Sequence, residues 1–351
     1  MTGPALRRRA LAPALAAALL LLAACTATTP PAAPPGVDTD PRPSASASAT
    51  PDDACAPGAR LVGETADDLQ DALDMADPGD VLQLSATTYP GRFVITRSGT
   101  AEDPIVLCGT PGTTLEGEGA ATTGTVLRLV GADHWRLEDF AVRSAQRGVV
   151  LDRASHNELH GLEVSDTGGQ GIRLHNASTN NMIVDSIVRD TGVTDRDAGE
   201  GIAIGSRESS WCDVSDCEPD RSDGTIVVGT TVDHTAGEAI SAEEGTSAGV
   251  IRDNWLSRGD GTSSDAVVDL KGNGWVFAQN QVGDAAGPGV QVHSFLPDWG
   301  LDNRIVANTF GGAAEELAVQ VIGVAALAAT EVGCDNAMTW GPPARANVEC
   351  S

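Results

Sequence analysis

The sequence predicts an all-β fold: a parallel β-helix wound as a single-stranded solenoid, with an N-terminal capping α-helix. Three observations carry that prediction. A short apolar–X–apolar–X pattern recurs eight times along the chain, and a second alternating apolar segment follows each of the first seven. The composition joins 40 glycines and 41% hydrophobic residues to an aromatic content of only 3%. That is too apolar for a disordered chain. With so few rings, a core must be assembled from many thin layers of aliphatic side chains, each strand burying alternate residues.

The chain opens with Arg7, Arg8 and Arg9, then an apolar run from Leu11 to Ala24 that ends Leu22-Ala23-Ala24-Cys25. A basic start, a short apolar stretch and small residues at its end describe an export signal over residues 1–24. The run is too short for a confident membrane span. Leu-Ala-Ala-Cys resembles the lipobox of bacterial lipoproteins, which makes Cys25 the expected lipidation site; a plain signal peptide containing a cysteine is the other reading. Residues 25–54 are rich in Pro, Ala, Ser and Thr and read as a tether. Residues 55–351 form the β-helix domain, expected at the extracellular face of a bacterial cell membrane, lipid-anchored or shed, and monomeric. The lipid is the only membrane contact expected.

Charge and cysteines agree with that setting. The chain carries 49 acidic against 22 basic residues, a formal charge of -27, which excludes general nucleic-acid binding. Setting Cys25 aside leaves six cysteines, for which fifteen pairings exist. Proximity favours Cys212–Cys217 and Cys334–Cys350, leaving Cys55–Cys108. No Cys/His cluster has zinc spacing, so disulfides are the better reading.

The cap comes next. Thr65 opens a Thr-Ala-Asp-Asp box, and Leu69, Ala72, Leu73 and Ala76 form one apolar face before Pro78-Gly79. One amphipathic helix there would close the open end of a strand stack, where edge-to-edge association would otherwise start.

The coils follow. The repeated first strands are Leu127–Val130, Val149–Asp152, Ile172–His175, Ile202–Gly205, Ile240–Glu243, Val268–Lys271, Val290–His293 and Val319–Ile322. Second strands are expected at Leu137–Val142, Leu159–Val164, Ile183–Val188, Val227–Val232, Ile251–Leu256, Phe277–Val282 and Ile305–Phe310. Their fourth positions end in Asn254, Asn280 and Asn308, with Asn336 next, and stacked Asn side chains can hydrogen-bond along a column. A β-propeller competes, but its blades need four strands in about 40–45 residues.

Insertions concentrate around the middle coils. Ile204 to Ile226 and Val292 to Ile305 are lengthened, as are the approaches Val188–Ile202 and Leu256–Val268. Insertions in stacked repeats usually build a binding surface, so a cleft is expected there. The outward columns supply its chemistry. One runs Asp152, His175, Gly205, Glu243, Lys271, His293; the other runs Arg173, Ala203, Ser241, Asp269, Gln291. Lys271 is the only lysine in the chain. A compact ammonium can lose its proton where guanidinium cannot; an ordinary ion pair with Asp269 or Glu243 is the alternative. Trp211 and Trp299 lie in the long loops, suited either to stacking on sugars or to loop packing.

With these marks in hand, the chain resembles the right-handed parallel β-helix proteins of the pectate-lyase-like superfamily, from about Ala56 to the C-terminus. The marks are Ala76-Asp77-Pro78-Gly79-Asp80, Ser98-Gly99-Thr100 with Pro104-Ile105, Gly199-Glu200-Gly201-Ile202, Glu244-Gly245-Thr246, and Val268-Asp269-Leu270-Lys271-Gly272-Asn273. One departure is Ile240-Ser241-Ala242-Glu243, where related proteins read Ile-Asp-Ile-Lys. The resemblance implies a surface that binds or acts on a polysaccharide or other extracellular glycan, lyases being the best-known members.

Three readings follow. A β-eliminating lyase of uronate polymers would use Lys271 as its base, with His293, Glu243 and Asp269 beside it and His175, Arg173, Gln291, Trp211 and Trp299 on the substrate. It would hold Ca²⁺ on Glu243, Asp265 and Asp269. The metal is essential to that scheme, because neighbouring carboxylates make a lysine a worse base and a cation would cancel their effect. A glycoside hydrolase would pair Glu243 with Asp269, expected roughly 8 Å apart. A non-catalytic glycan-binding module would use the same face without chemistry.

Overall fold

The computed structural model describes Cys55 and residues 58–258, 265–285, 287–312, 317–339 and 346–351. The export signal, Cys25 and the tether lie outside the described residues.

The repeated strands stack as expected. Parallel strands form three ladders, of eleven, nine and ten strands, that the chain visits in turn on every coil. The result is a right-handed parallel β-helix, which excludes the propeller. The eight first strands line up in the nine-stranded ladder, in the register of the repeat: Val150 beside Arg173, Ser241 beside Asp269, Asp269 beside Gln291, Gln291 beside Gln320. Their inward residues, among them Leu127, Leu151, Leu174, Ile204, Leu270 and Val292, are fully buried.

The second strands differ from expectation. Each is two strands in different ladders, as with Trp135–Glu138 and Ala141–Ala145. A left-handed residue turns the chain between them: Asp139, Gly161, Asp185, Gly229, Asp253, Gln279 and Ala307 all have φ between 47° and 65°. Each bend shifts the alternation by one residue, with Leu137 and Phe140 inward and both Glu138 and Asp139 between them, a shift small enough that the segment reads as one strand in sequence. The asparagine column therefore stands at a corner of the coil. There Asn254 Nδ2 donates to Asn280 Oδ1 at 2.9 Å, Asn280 to Asn308 at 3.1 Å, and Asn308 to Asn336 at 3.0 Å. Each Oδ1 also accepts the backbone N–H of the preceding Asn, which would otherwise be unmet inside the turn.

Both ends of the nine-stranded ladder are closed by a side-chain amide. The cap is an α-helix, α1, over Ala66–Asp74, with Thr65 and Asp68 forming a reciprocal capping box and Leu69, Ala72 and Leu73 buried. From it, Gln70 donates to Val94 O at 2.8 Å and accepts from Val94 N at 3.0 Å on the first strand, Phe93–Ile95. At the far end Asn347 does the same to Val321, at 2.8 Å in both directions. Each amide mimics the next strand, so the edge offers no pairing template there. Disulfides join Cys212–Cys217 and Cys334–Cys350, the two pairs that proximity favoured, and Cys55–Cys108, the pair left over.

Candidate functional site

The outward face of the middle coils carries a cleft of about 450 Å³. Its floor is the junction of three strands, Ile240–Ala242, Val268–Leu270 and Val290–His293. Continuing the register past the strand ends stacks Glu243, Lys271 and His293, while Ser241, Asp269 and Gln291 stack beside them. The insertion after Ile204 supplies Arg207 and Glu208 to one wall, and the loop after His293 supplies Phe295 and Leu296.

The turn after Glu243 is built to aim it. Thr246 Oγ1 donates to Glu243 O at 2.7 Å and accepts from Trp275 Nε1 at 3.2 Å. Gly245 has φ +97°, and a Cβ there would lie 2.8 Å from the Asp220 backbone nitrogen. Gly249 lets the fully buried Trp275 ring lie against the chain, since a Cβ would meet the ring at 2.1 Å. The Glu-Gly-Thr mark of the sequence is thus a backbone device behind a carboxylate.

At the centre, Lys271 Nζ donates to Glu243 Oε2 at 2.8 Å and lies 3.4 Å from Asp269 Oδ2. Lys271 is only 7% exposed, Asp269 5% and Glu243 3%. Burial works against the ammonium, but Glu243 and Asp269 outweigh it and hold the Lys271 pKa well above the usual lysine range. Burial likewise works against the Glu243 anion; Lys271, Arg207 and Ser241 reverse that and hold its pKa below the usual value. Ser241 donates to Glu243 Oε1 at 2.9 Å, and Arg207 Nε approaches it at 3.6 Å. Asp269 fares worse: burial pushes it up to about 6, and its Oδ1 is buried without a hydrogen-bond partner.

A polar chain leads away from this centre through earlier coils. Arg207 donates to Glu200 Oε1 at 3.2 Å, Gln170 donates to Glu200 Oε2 at 3.1 Å, and Arg147 donates to Gln170 at 3.0 Å. A smaller hollow of about 160 Å³ continues the cleft here, lined by Arg173, Glu200, Ala203, Gly205 and Arg207. The small residues Ala203 and Gly205 make its notch.

The expected site residues therefore divide. Lys271, Glu243, Asp269, His293, Gln291 and Asp265 line the main cleft, and Arg173 lines the annex, its Nη2 donating to Ser206 at 3.2 Å. His175 lines neither; burial and the neighbouring Arg173 push it down to about 4, and its Nδ1 is buried without a partner. Trp211 is a packing residue: it is buried and its indole donates to Ser206 O at 2.8 Å. Trp299 is half-buried outside the cleft, with Arg221 5.7 Å from its ring centroid. The aromatic that does line the cleft is Phe295, 60% exposed, its ring centroid 3.5 Å from that of His293. Glu238 also lines it. Neither residue sits in the repeat, which is why the columns miss them.

Ca²⁺ takes six to eight oxygen ligands. Here the Lys271 ammonium already lies between Glu243 and Asp269, and both Glu243 oxygens have donors. Asp265 is exposed, leaving Asp269 Oδ1 as an orphan oxygen rather than a ligand shell. Among the described residues no group of three or more His, Cys, Asp or Glu is disposed to hold a metal. The set Glu243, Asp265 and Asp269 does not fit a resident Ca²⁺ while Lys271 occupies its middle. The same ammonium places the contacting oxygens of Glu243 and Asp269 closer than the roughly 8 Å expected for a water-activating pair.

No family model matches the chain. Pectate lyase PEL9 of Emericella nidulans is 26% identical over 132 residues, a match covering 33% of this chain and 32% of that protein. The chain thus matches about a third of that relative's length. The crystal structure of an alginate lyase from Paenibacillus sp. str. FPU-7 is similar at a TM-score of 0.75 and 26% identity, over 83% of this chain and 98% of that one. Pectate lyase Pel9A is similar in fold, with a TM-score of 0.55, 11% identity, and coverage of 83% and 80%.

Proposed function

We infer that the protein is a polysaccharide lyase that β-eliminates uronate-containing polymers in the cleft around Lys271, with alginate the first candidate. The observation that carries this reading is a lysine held as a cation at the floor of an open cleft. The likeness to the Paenibacillus alginate lyase along nearly that enzyme's whole length supports it.

The roles follow from the electrostatics. Glu243 and Asp269 make Lys271 an unsuitable base, so its charge serves instead to bind the uronate carboxylate and stabilise the negative charge that grows on it as C5 loses its proton. Glu243, fixed by Ser241, Arg207 and the Thr246 turn, positions the ammonium. His293 and Phe295 form a wall for a sugar ring, and Gln291, which donates to Gln320 at 3.0 Å, lines the floor beside Asp269. Arg207 and Arg173 offset the repulsion that a chain of formal charge -27 would exert on a polyanion. This scheme routes no step through Ca²⁺. The hydrolase reading loses ground, because the ammonium fills the space an activated water would need.

Export, lipidation at Cys25 and a tether over residues 25–54 complete the proposal: a lyase domain, residues 55–351, acting as a monomer on glycans outside the cell. Three disulfides suit that oxidising compartment.

A panel of alginate, polygalacturonate and neutral polysaccharides, with and without chelator, tests the reading. New ultraviolet absorbance from unsaturated uronides that persists in chelator supports it. Activity lost in chelator and restored by Ca²⁺ would return the metal to the scheme. Reducing ends without that absorbance would indicate hydrolysis, and gel retardation without product a binding module.

A further inference from the structure

Elimination needs a base, and the cleft narrows the choice by who is already engaged. Lys271 is held charged. Glu243 accepts from Lys271 and Ser241 and contacts Arg207, Glu200 accepts from Gln170 and Arg207, and Glu244 accepts from the Glu208 backbone N–H at 2.7 Å. Asp269 is nearly inaccessible and keeps one oxygen on Lys271. Glu238 differs. It precedes the strand Ile240–Ala242, and its carbonyl accepts from Gly201 N at 2.9 Å. The register of Ile240 with Val268 sets Ala266 next to it on the following coil. Its carboxyl lines the cleft, and apart from its own backbone N–H no hydrogen bond or ion pair among the described residues holds it.

We propose that Glu238 is the base of the elimination: it takes the C5 proton of the uronate bound at Lys271 and passes it to the departing glycosidic oxygen. The C5–H bond breaks and its electron pair becomes the C4=C5 double bond. The C4–O bond breaks, its pair stays on oxygen, and the proton carried by Glu238 ends there, so no other reactant is required.

The surroundings match that task. Burial and the Asp269 charge push Glu238 up to about 7, against Lys271 acting downward, with Glu200 adding to the rise. Arg207 and Glu243 lie in the same cleft. A base of that strength suits neutral pH. Glu208, Asp265 and His293 also line the cleft with no side-chain hydrogen bond or ion pair among the described residues. Glu208 and Asp265 are exposed at its rim, however, and burial and Lys271 lower His293, with Asp265 opposing.

The inference rests on the lyase reading, and the test separates the two. Wild type, Glu238→Gln, Glu238→Asp and His293→Asn are assayed on alginate and polygalacturonate by absorbance across pH 5–9. Glu238→Gln should lower kcat by about 10²–10⁴-fold with KM changed less than about threefold. Glu238→Asp should recover part of kcat with the acidic limb displaced, whereas His293→Asn should act mainly on KM. Wild-type kcat should rise with pH through an apparent pKa near 7. An active wild type whose Glu238→Gln variant keeps its kcat overturns the assignment and leaves the lyase reading standing. So does a wild-type acidic limb below pH 5, whether or not the variants fold. A wild type without unsaturated product on either polymer overturns both.

Discussion

Lys271 donates to Glu243 at 2.8 Å across adjacent coils, although 28 residues separate the two in the chain. The pair exists only because both residues follow strands in register, and Asp269 completes it from Lys271's own strand. Three charges share a nearly dry floor, so each one's state depends on the other two.

Removing the ammonium should expose that dependence. Lys271→Met leaves Glu243 and Asp269 facing each other without a cation, a loss expected at about 3–5 kcal/mol. The cost should be larger at pH 8 than at pH 5, where Asp269 can protonate. Urea unfolding at both pH values measures the difference, and an equal cost would mean that the two carboxylates do not interact. Turnover should vanish at both.

Stability should also depend on pH in wild type, with a sign set by the raised carboxyls. Glu238, about 7, and Asp269, about 6, keep their protons in the folded state at pH values where the unfolded chain has released them. Through these two groups the folded state binds more protons, so their contribution to stability falls as pH rises from about 4 through 7. His175, pushed down to about 4, stays neutral where the unfolded imidazole is charged and opposes them below about pH 6.5. Glu243, held low, opposes this at the acid end: its contribution is present above its unfolded value and lost as pH falls through the folded one. Melting temperatures from pH 4.5 to 8 should decline across the upper part of that range, and Glu238→Gln should flatten the slope.

The asparagine corner makes a local prediction. Asn280→Ala removes the acceptor of the Asn254 amide and backbone N–H and the donor to Asn308 and to Ile251 O. Each buried group left unmet costs about 1–3 kcal/mol, so the total should be at least about 2 kcal/mol. Asn336→Ala, at the end of the column, should cost less. Denaturant midpoints for the two variants give the comparison.

At the ends, Gln70→Leu leaves Val94 N–H and C=O unpaired on the edge of the nine-stranded ladder. Concentration-dependent self-association, read by light scattering, is the expected result, with little change in turnover because the cleft is remote in sequence and coil order. Asn347→Ala should self-associate in the same way at the other end, where the edge strand pairs directly with the cleft strand Val290–His293. A variant that stays monomeric at high concentration would show that the edge is protected by other means.

Much of this was legible because a solenoid turns sequence spacing into spatial neighbourhood. The stacking of Ser241, Asp269 and Gln291 followed from the repeat alone. The bends at Asp139 and its counterparts did not, since each shifts the inward positions by only one residue. Glu238 was invisible for another reason: its chemistry comes from a missing partner and from burial, neither of which has a sequence pattern. Trp211 packs inward and Phe295, which carries no sequence signal, lines the cleft, because short loop helices and ring contacts, rather than residue type, decide which aromatic faces inward.

The two terminal amides also bear on how such a molecule can change over evolutionary time. Because Gln70 and Asn347 seal the termini locally, whole windings could be gained or lost between them without redesigning either end. A duplication outside the span from Glu200 to Phe295 would lengthen the groove's approaches while leaving the reacting groups untouched. Reach along a polymer and chemistry upon it can thus drift separately.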